Sequence, residues 1–292
     1  MIPSFYKSRS GDYTLIEGDC VETLSKFKFY FDMIYADPPY LMSDISIDSI
    51  SGNVVHVDNK NNATGVSIGD LDNYNFRWLS ACRNHLKDNG TIWVSCTYHN
   101  IFSIERQMQK LGFLILNIIT WAKRNPPKDL SCRTFTHSTE FIIWARKSKD
   151  VPHYFNYELM RSLNKGSQMK DLWSLPSVSM WEKDCGQHPS QKPVPLLTRI
   201  IQASTKSGDW ILDPFCGSGT TGFAASLLYR KFLGLDINPD YLAMSKARRV
   251  KIENPGFRQA FNAWLVSQKA IPKLDLNHML MECDMNYGIP WI

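Results

Sequence analysis

Phe31-Asp32-Met33-Ile34-Tyr35-Ala36 is an apolar run that ends in Asp37-Pro38-Pro39-Tyr40, a carboxylate, two prolines and a phenol in succession. Proline has no N–H and a fixed φ, so two in a row stop a strand and stiffen the turn that follows. The amide joining Pro38 to Pro39 offers a carbonyl acceptor and no donor. Asp37 adds a second acceptor and Tyr40 a flat face. Two acceptors beside a stacking surface complement the N–H pair of an exocyclic amino group on a planar base. The same residues are also ordinary strand-exit chemistry, since Asp-Pro and Pro-Pro form turns. Asp37, Pro38, Pro39 and Tyr40 are the candidate catalytic set.

A second constellation lies far downstream. Trp210-Ile211-Leu212 reads as a buried strand, Asp213-Pro214-Phe215-Cys216-Gly217-Ser218-Gly219-Thr220-Thr221 as a tight turn, and Gly222 to Tyr229 as a helix. Gly217 and Gly219 permit a sharp turn and close approach by a ligand, as in nucleotide-binding strand–loop–helix units. Asp236 closes the next strand, Phe232 to Leu235, nineteen residues after Gly217, where such folds hold ribose hydroxyls. A P-loop would need lysine where Thr220 stands. A dinucleotide enzyme is set aside because Gly222, the nearby candidate for the third glycine of G-x-G-x-x-G, is read as breaking that spacing. S-adenosyl-L-methionine remains, its cationic sulfonium suiting a rim of Asp19, Asp213, Asp236 and Phe215. Asp19 follows Gly18 at the end of a strand over Tyr13–Glu17, either as a rim carboxylate or as the cap of the next helix.

The elements needed to hold these groups are legible in the periodicity. Helical spacing is expected from Phe76 to Leu86 with Gly90 as its C′ glycine, and from Ile101 to Leu111 ending at Gly112. Strands are expected at Thr91–Ser95, Phe113–Trp121 and Thr139–Ala145. Leu196, Leu197, Ile200 and Ile201 share a helix face that begins at Pro193. Lys192 would then sit at a helix start, against the usual dipole preference, which hints at an anionic ligand. Asn238 is expected to cap a helix opened by Pro239. This alternation implies an α/β fold with a mostly parallel central sheet and helices on both faces. Residues 41–73, rich in Ser, Asn, Asp and Gly, read as a long loop that is mobile without nucleic acid.

Composition sets the class. The chain has 292 residues, 43% hydrophobic and 21% charged, as a packed globular protein requires. Seven scattered cysteines without C-x-x-C spacing point to a reducing, cytoplasmic setting and no metal. No apolar run approaches bilayer length and no signal-peptide layout is seen, so no membrane partner is expected. The net charge of +5 is localised: residues 121–192 carry twelve Lys and Arg against seven Asp and Glu, and the remainder balances. There, cations alternate with aromatics and amides, a mixture able to touch phosphates and base edges. The bland alternative is a surface insertion with its aromatics packed beneath.

Taken together, DPPY, then HPSQKP, DPFCGSGTT and GLDINPDY resemble the beta class of DNA amino-methyltransferases, over about Ile16 to Arg249. TWAKRNPPKDLSCRTFTHSTEFIIWARK and LNKGSQMKDLW are similar to segments of the second adenine methyltransferase of GATC-recognising restriction systems; the related GANTC enzymes share parts of the pattern. The resemblance implies a Rossmann-like methyltransferase fold in permuted order, the catalytic half before the cofactor half. It implies S-adenosyl-L-methionine held by Asp19, Cys20, Lys192, Asp213, Phe215, Gly217, Ser218, Gly219, Thr220, Thr221, Asp236 and Ile237. DNA, single- or double-stranded, would be met by Lys123, Arg124, Asn125, Lys128, Arg133, His137, Lys165 and Lys170. The expected layout is one catalytic domain with residues 146–187 as embedded target-recognition region and 251–292 as C-terminal extension. In that extension, Phe257, Phe261, Trp264 and Leu265 suit a helix packed on the body or on a second subunit. A second copy of the chain is a candidate partner, and so is a cognate restriction endonuclease acting without direct contact. The rival readings are a cytosine amino-methyltransferase, whose tetrapeptide more often opens with Ser, an RNA or protein-amide methyltransferase, and a DNA-binding protein with a dead site.

Overall fold

The computed structural model describes residues 3–39, 45–47, 54–56, 67–126, 133 and 135–271. In chain order the elements are β1 (Tyr6–Lys7), β2 (Tyr13–Glu17), α1 (Cys20–Leu24), β3 (Phe31–Ala36), β4 (Ile45–Ile47), β5 (Val54–His56), α2 (Ile68–Asn84), β6 (Leu86–Cys96), α3 (Ile101–Lys110) and β7 (Leu114–Lys123). They continue with β8 (Thr139–Arg146), α4 (Tyr157–Leu163), β9 (Leu172–Leu175), a 3-10 turn at Met180–Lys183, α5 (Val194–Ser204), β10 (Trp210–Asp213), α6 (Thr220–Leu227), β11 (Lys231–Asp236), α7 (Pro239–Ile252) and α8 (Pro255–Ser267).

Among the described residues nine strands form one sheet in the order β1-β2-β11-β10-β3-β6-β8-β7-β9, and β4 pairs with β5 as a separate antiparallel hairpin. The run β2-β11-β10-β3-β6 is parallel throughout. Parallel strands bring their carboxyl ends to one edge, so Asp19, Asp236, Asp213 and Asp37 all leave the sheet on the same side. β8 is antiparallel to β6 and to β7. It therefore starts at that edge, which is where Glu140 stands.

Strand side chains alternate between two cores, the period expected of a sheet covered on both faces. Tyr13, Leu15, Met33, Tyr35 and Trp93 face α4 to α8. Ile16, Ile34, Ala36, Ile92 and Val94 face α1, α2 and α3. Trp93 and Trp144, opposite each other on β6 and β8, stack at 4.7 Å, and the Trp93 indole N–H donates to Ser204 Oγ at 2.7 Å. An aromatic pair of this kind contributes about 0.5–1.5 kcal/mol beyond its burial. It also pins the register of β8, and a one-residue slip would turn Glu140 to the opposite face.

Several expectations need correction. The segment 41–73 is not one loop, because it contains β4, β5 and the start of α2, whose Ser67 forms a capping box with Asp70. The mobility expected of it falls largely outside the described residues. Gly90 is no helix cap: α2 ends before His85, and Gly90 lies inside β6. A Cβ there would come within 2.9 Å of the Asp32 carbonyl oxygen, so glycine is needed for close strand approach. Residues 146–187 are not aperiodic, since β9 extends the central sheet and Trp173 is buried within it. Pro193 is the residue before α5 rather than its first. The C-terminal aromatics, by contrast, pack on the body: Phe261 and Leu265 of α8 are buried, and Phe261 meets Phe223 edge-on at 4.8 Å. No helix among the described residues is long and apolar enough to cross a membrane.

Candidate functional site

The Asp37 carboxylate emerges where β3 stops. Its Oδ2 accepts from Lys192 Nζ at 2.6 Å, a contact between residues 155 positions apart in the chain. Lys192 also donates to the Ser190 carbonyl at 3.3 Å and lies 3.6 Å from Glu140 Oε2. Glu140 Oε1 pairs in turn with Lys123 Nζ at 2.6 Å. All four side chains are largely withdrawn from water, Lys192 most of all at 6% exposure. Burial alone would lower the Lys192 pKa, but Asp37 and Glu140 outweigh it and raise it above the ordinary lysine value. Burial likewise pushes Glu140 upward, and Lys192 and Lys123 bring it below the usual carboxylate range. The site therefore carries its charges in alternation, each stabilised by its neighbours.

Lys192 is held there by the start of α5. Pro193 has no side-chain cap to give, and Glu182 of the 3-10 turn supplies one, its Oε2 accepting from Val194 N at 2.8 Å. A buried carboxylate is thus set against the positive end of the helix. The cation at this helix start needs no external anion. Its unfavourable position is met by the protein's own carboxylates, and the hint of an anionic ligand drawn from Lys192 is withdrawn.

The glycine turn is built one strand over. Gly217 N donates to Asp236 Oδ2 at 2.8 Å, and Asn238 N donates to Asp236 Oδ1 at 2.9 Å, so one carboxylate fastens the turn and the exit of β11. Asp213 is buried. It accepts from Thr221 Oγ1 at 2.5 Å and from Phe215 N at 3.1 Å, and burial, with Asp37 and Asp236 nearby, pushes it up to about 7. It clips the turn shut and does not form an open rim. Thr220 Oγ1 accepts from Arg248 Nη1 at 2.8 Å, and the Ser218 carbonyl accepts from the same nitrogen at 3.2 Å.

The glycines have protein neighbours. With φ +46, Gly217 lies beneath the His188 ring, whose Nε2 would be 2.9 Å from an added Cβ. At Gly219, φ is +77 and a Cβ would collide with Ser245 of α7. Gly222 corrects the earlier reading: Gly217-Ser218-Gly219-Thr220-Thr221-Gly222 is in G-x-G-x-x-G register. A Cβ at Gly222 would sit 2.5 Å from the Tyr13 hydroxyl and from Phe232, the close helix–sheet packing the third glycine serves.

Asp19 caps α1, its Oδ1 accepting from Val21 N at 2.9 Å and Glu22 N at 3.0 Å, while the side chain stays exposed at the same edge as Asp236. The two readings of Asp19 are therefore compatible. Cys20 is buried, and burial pushes its thiol up to about 12. Phe215 is half-buried edge-on to Trp78, and Ile237 is 73% exposed beside Asp236. Pro38 is buried and Pro39 exposed, whereas Tyr40 lies outside the described residues.

The candidate nucleic-acid residues divide. Lys123 belongs to the Asp37 cluster. Arg124 Nη2 donates to the Ser174 carbonyl at 2.9 Å and Asn125 Oδ1 accepts from Ser177 N at 2.9 Å, tying β7 to the exit of β9. His137 stacks on Tyr98 at 5.1 Å and both are exposed, near the ends of β8 and β6 that reach the sheet edge bearing Asp37. Arg133, Lys165 and Lys170 are exposed, the last two leading into β9, four strands from β3; Lys128 is outside the described residues.

Two residues escaped the sequence reading. Glu140 opens an otherwise apolar strand, Phe141-Ile142-Ile143-Trp144-Ala145, and that lone carboxylate was the available signal. His188 was visible only as part of HPSQKP. It stands over the glycine turn, edge-on to Tyr241 at 4.3 Å. Burial lowers its pKa, Asp37 and Asp236 oppose that, and Lys192 adds to it, so both halves of the site reach one imidazole. The arrangement brings acceptors for an amino group beside a turn suited to an adenosine-bearing ligand.

Comparison with known proteins agrees with this geometry. A family described as DNA methylase matches residues 31–247. The Type II methyltransferase M2.MboI of Moraxella bovis is 46% identical over 248 residues, covering 85% of this chain and 91% of that one. Type II methyltransferase M2.DpnII of Streptococcus pneumoniae is 48% identical over 242 residues, covering 82% and 90%. Among solved structures, the M1.HpyAVI–SAM complex aligns with TM-score 0.62 and 28% identity over 81% of this chain and 98% of the other. The cytosine-N4-specific PvuII DNA methyltransferase aligns with TM-score 0.67 at 17% identity over 84% and 88%, a likeness of fold.

Proposed function

The chain belongs to the DNA methylase family, and from that premise we propose that it methylates the exocyclic amino group of adenine in a short DNA site, GATC, within a restriction–modification system. The observation that carries the reading is the placement of Asp37 and the glycine turn at one sheet edge, where β3 and β10 are neighbouring parallel strands and His188 lies over Gly217. The residues present fit S-adenosyl-L-methionine. Asp19 and Asp236 can accept from ribose hydroxyls, Phe215 and Ile237 offer apolar cover for adenine, and the acidic edge suits a cation. When bound, it supplies an electrophilic methyl on sulfur, whose C–S bonding pair departs with the sulfur.

An adenine amino group is a poor nucleophile, because its lone pair is delocalised into the ring. Asp37 and the Pro38 carbonyl accept its two N–H groups, localise that pair and aim it, so the chain contributes positioning and electrostatics. As the N–C bond forms, N6 must shed one proton, and Asp37 is the acceptor beside it. Tyr40 provides the stacking face for a base flipped out of the duplex, since its N6 is unreachable within the stack. Target readout is assigned to residues 146–187 together with Arg133 and His137. A cognate endonuclease would act at the same site without touching this chain.

The test is methylation of an unmethylated plasmid by the purified protein, followed by nucleoside analysis and sequencing of the methylated positions. N6-methyladenine confined to GATC is expected. N4-methylcytosine would instead favour the cytosine reading, and no methyl transfer would favour a dead site.

A further inference from the structure

We propose that Glu140 is a positioning residue that draws Lys192 off Asp37 when the substrate base enters. The proposal rests on the reading of Asp37 as acceptor of the amino N–H. In the structure the Asp37 carboxylate is engaged: Lys192 Nζ lies 2.6 Å from Oδ2. An ammonium at that distance draws charge from the oxygen that must polarise a weakly nucleophilic amine. Lys192 has a second carboxylate within reach, Glu140 Oε2, at 3.6 Å. That oxygen is buried and accepts no hydrogen bond among the described residues, whereas its twin Oε1 is held by Lys123 at 2.6 Å.

A buried carboxylate oxygen with no hydrogen bond of its own, compensated only by an ammonium 3.6 Å away, is incompletely satisfied. Its distance from Lys192 is just beyond a hydrogen bond, so a shift of under about 1 Å completes it. Lys123 fixes Glu140 from the other side, and the Trp93–Trp144 stack fixes the strand that bears it. The acceptor is fixed from both sides, so the proposed movement falls to the lysine, whose four-carbon stem lets the ammonium turn between the two carboxylates. Arrival of the amino group supplies Asp37 with a new donor, and Lys192 moves to Glu140 Oε2 as an ammonium, with no proton changing hands. Asp37 is then freed as acceptor while the positive charge stays buried and paired.

The experiment uses the full chain with Glu140→Gln, Glu140→Asp, Lys192→Met, the Glu140→Gln/Lys192→Met double variant and Asp37→Asn. Single-turnover methyl transfer to duplex DNA is followed, with calorimetric affinity for S-adenosyl-L-methionine and thermal melts. Glu140→Gln should slow the turnover step on the order of 10- to 100-fold, below the loss for removing a group that touches the reacting atoms. Affinity for S-adenosyl-L-methionine and KM for DNA should stay within about twofold of wild type. In the Lys192→Met background the same change should cost less than about threefold, because the lysine it acts through is gone. Glu140→Asp, which keeps the charge, should retain most of the rate, and it carries the test if Glu140→Gln melts early. Wild-type turnover in Glu140→Gln, an equal loss in both backgrounds, or a Glu140→Asp rate as low as that of Glu140→Gln would overturn the proposal while Asp37→Asn remains inactive. Full turnover in Asp37→Asn would instead overturn the underlying reading of Asp37.

Discussion

Asp213 gives the sharpest physical prediction, because it is a buried carboxyl that the fold keeps protonated into the neutral range. Its folded pKa is about 7, against an ordinary 3.8, with burial as the main cause and Asp37 and Asp236 adding to it. Between those two values the unfolded chain has released a proton that the folded chain still holds, so stability falls as pH rises through the window. At 1.36 kcal/mol per unit, integration from pH 5 to pH 8 gives a loss of about 3 kcal/mol from this group alone. Asp213→Asn removes the titration while preserving shape. The amide oxygen can still accept from Phe215 N, and the Thr221 hydroxyl can rotate to accept from the new NH2. Exchanging the neutral carboxyl's bonds for those of the amide adds a pH-independent offset, so the prediction concerns the slope. Urea unfolding of both proteins at several pH values between 5 and 8 measures it, with free-energy differences taken from the midpoints. Relative to wild type, Asp213→Asn should gain about 3 kcal/mol across that span. Parallel curves for the two proteins would refute the assignment of a neutral carboxyl at this turn.

Asp37→Ala should lower methyl transfer by at least about 100-fold while leaving S-adenosyl-L-methionine affinity within a few-fold, measured by radiolabel transfer and calorimetry; retained turnover would remove Asp37 from the chemistry. Asp236→Ala leaves Gly217 N and Asn238 N without their acceptor and takes away the proposed ribose partner. It should weaken cofactor binding about 10- to 100-fold, and unchanged calorimetric affinity would count against that role. Gly222→Ala forces a methyl to within 2.5 Å of the Tyr13 hydroxyl and Phe232, both fully buried. It should destabilise by about 1–3 kcal/mol, and an unshifted melting curve would show that α6 has more room against the sheet than the structure allows.

Much of the fold was legible because strands and helices announce themselves through local periodicity. Tyr13–Glu17, the end of the apolar run before Asp37, and the Asn238 cap with Pro239 behind it all stand where the pattern placed them. The misreadings share a cause. Gly90 looked like a helix terminator and proved to be a point where β6 passes close to Asp32. Residues 146–187 looked aperiodic, yet β9 is a four-residue edge strand, too short to leave a period.

From sequence alone come the chemical types: an acceptor-rich, donor-poor strand exit at Asp37-Pro38-Pro39, a flexible glycine turn, and an acid at the end of the strand after it. These are local properties, set by the residues' own backbone freedom and functional groups. What only tertiary structure decided is who meets whom. Lys192, Glu140 and Lys123 come from three separate segments, and nothing within any one segment encodes that their charges alternate around Asp37. That pairing follows from strand order and register, which bring distant chain ends to one edge of the sheet. Electrostatic roles depend on distance and burial, quantities that exist only once the chain has closed.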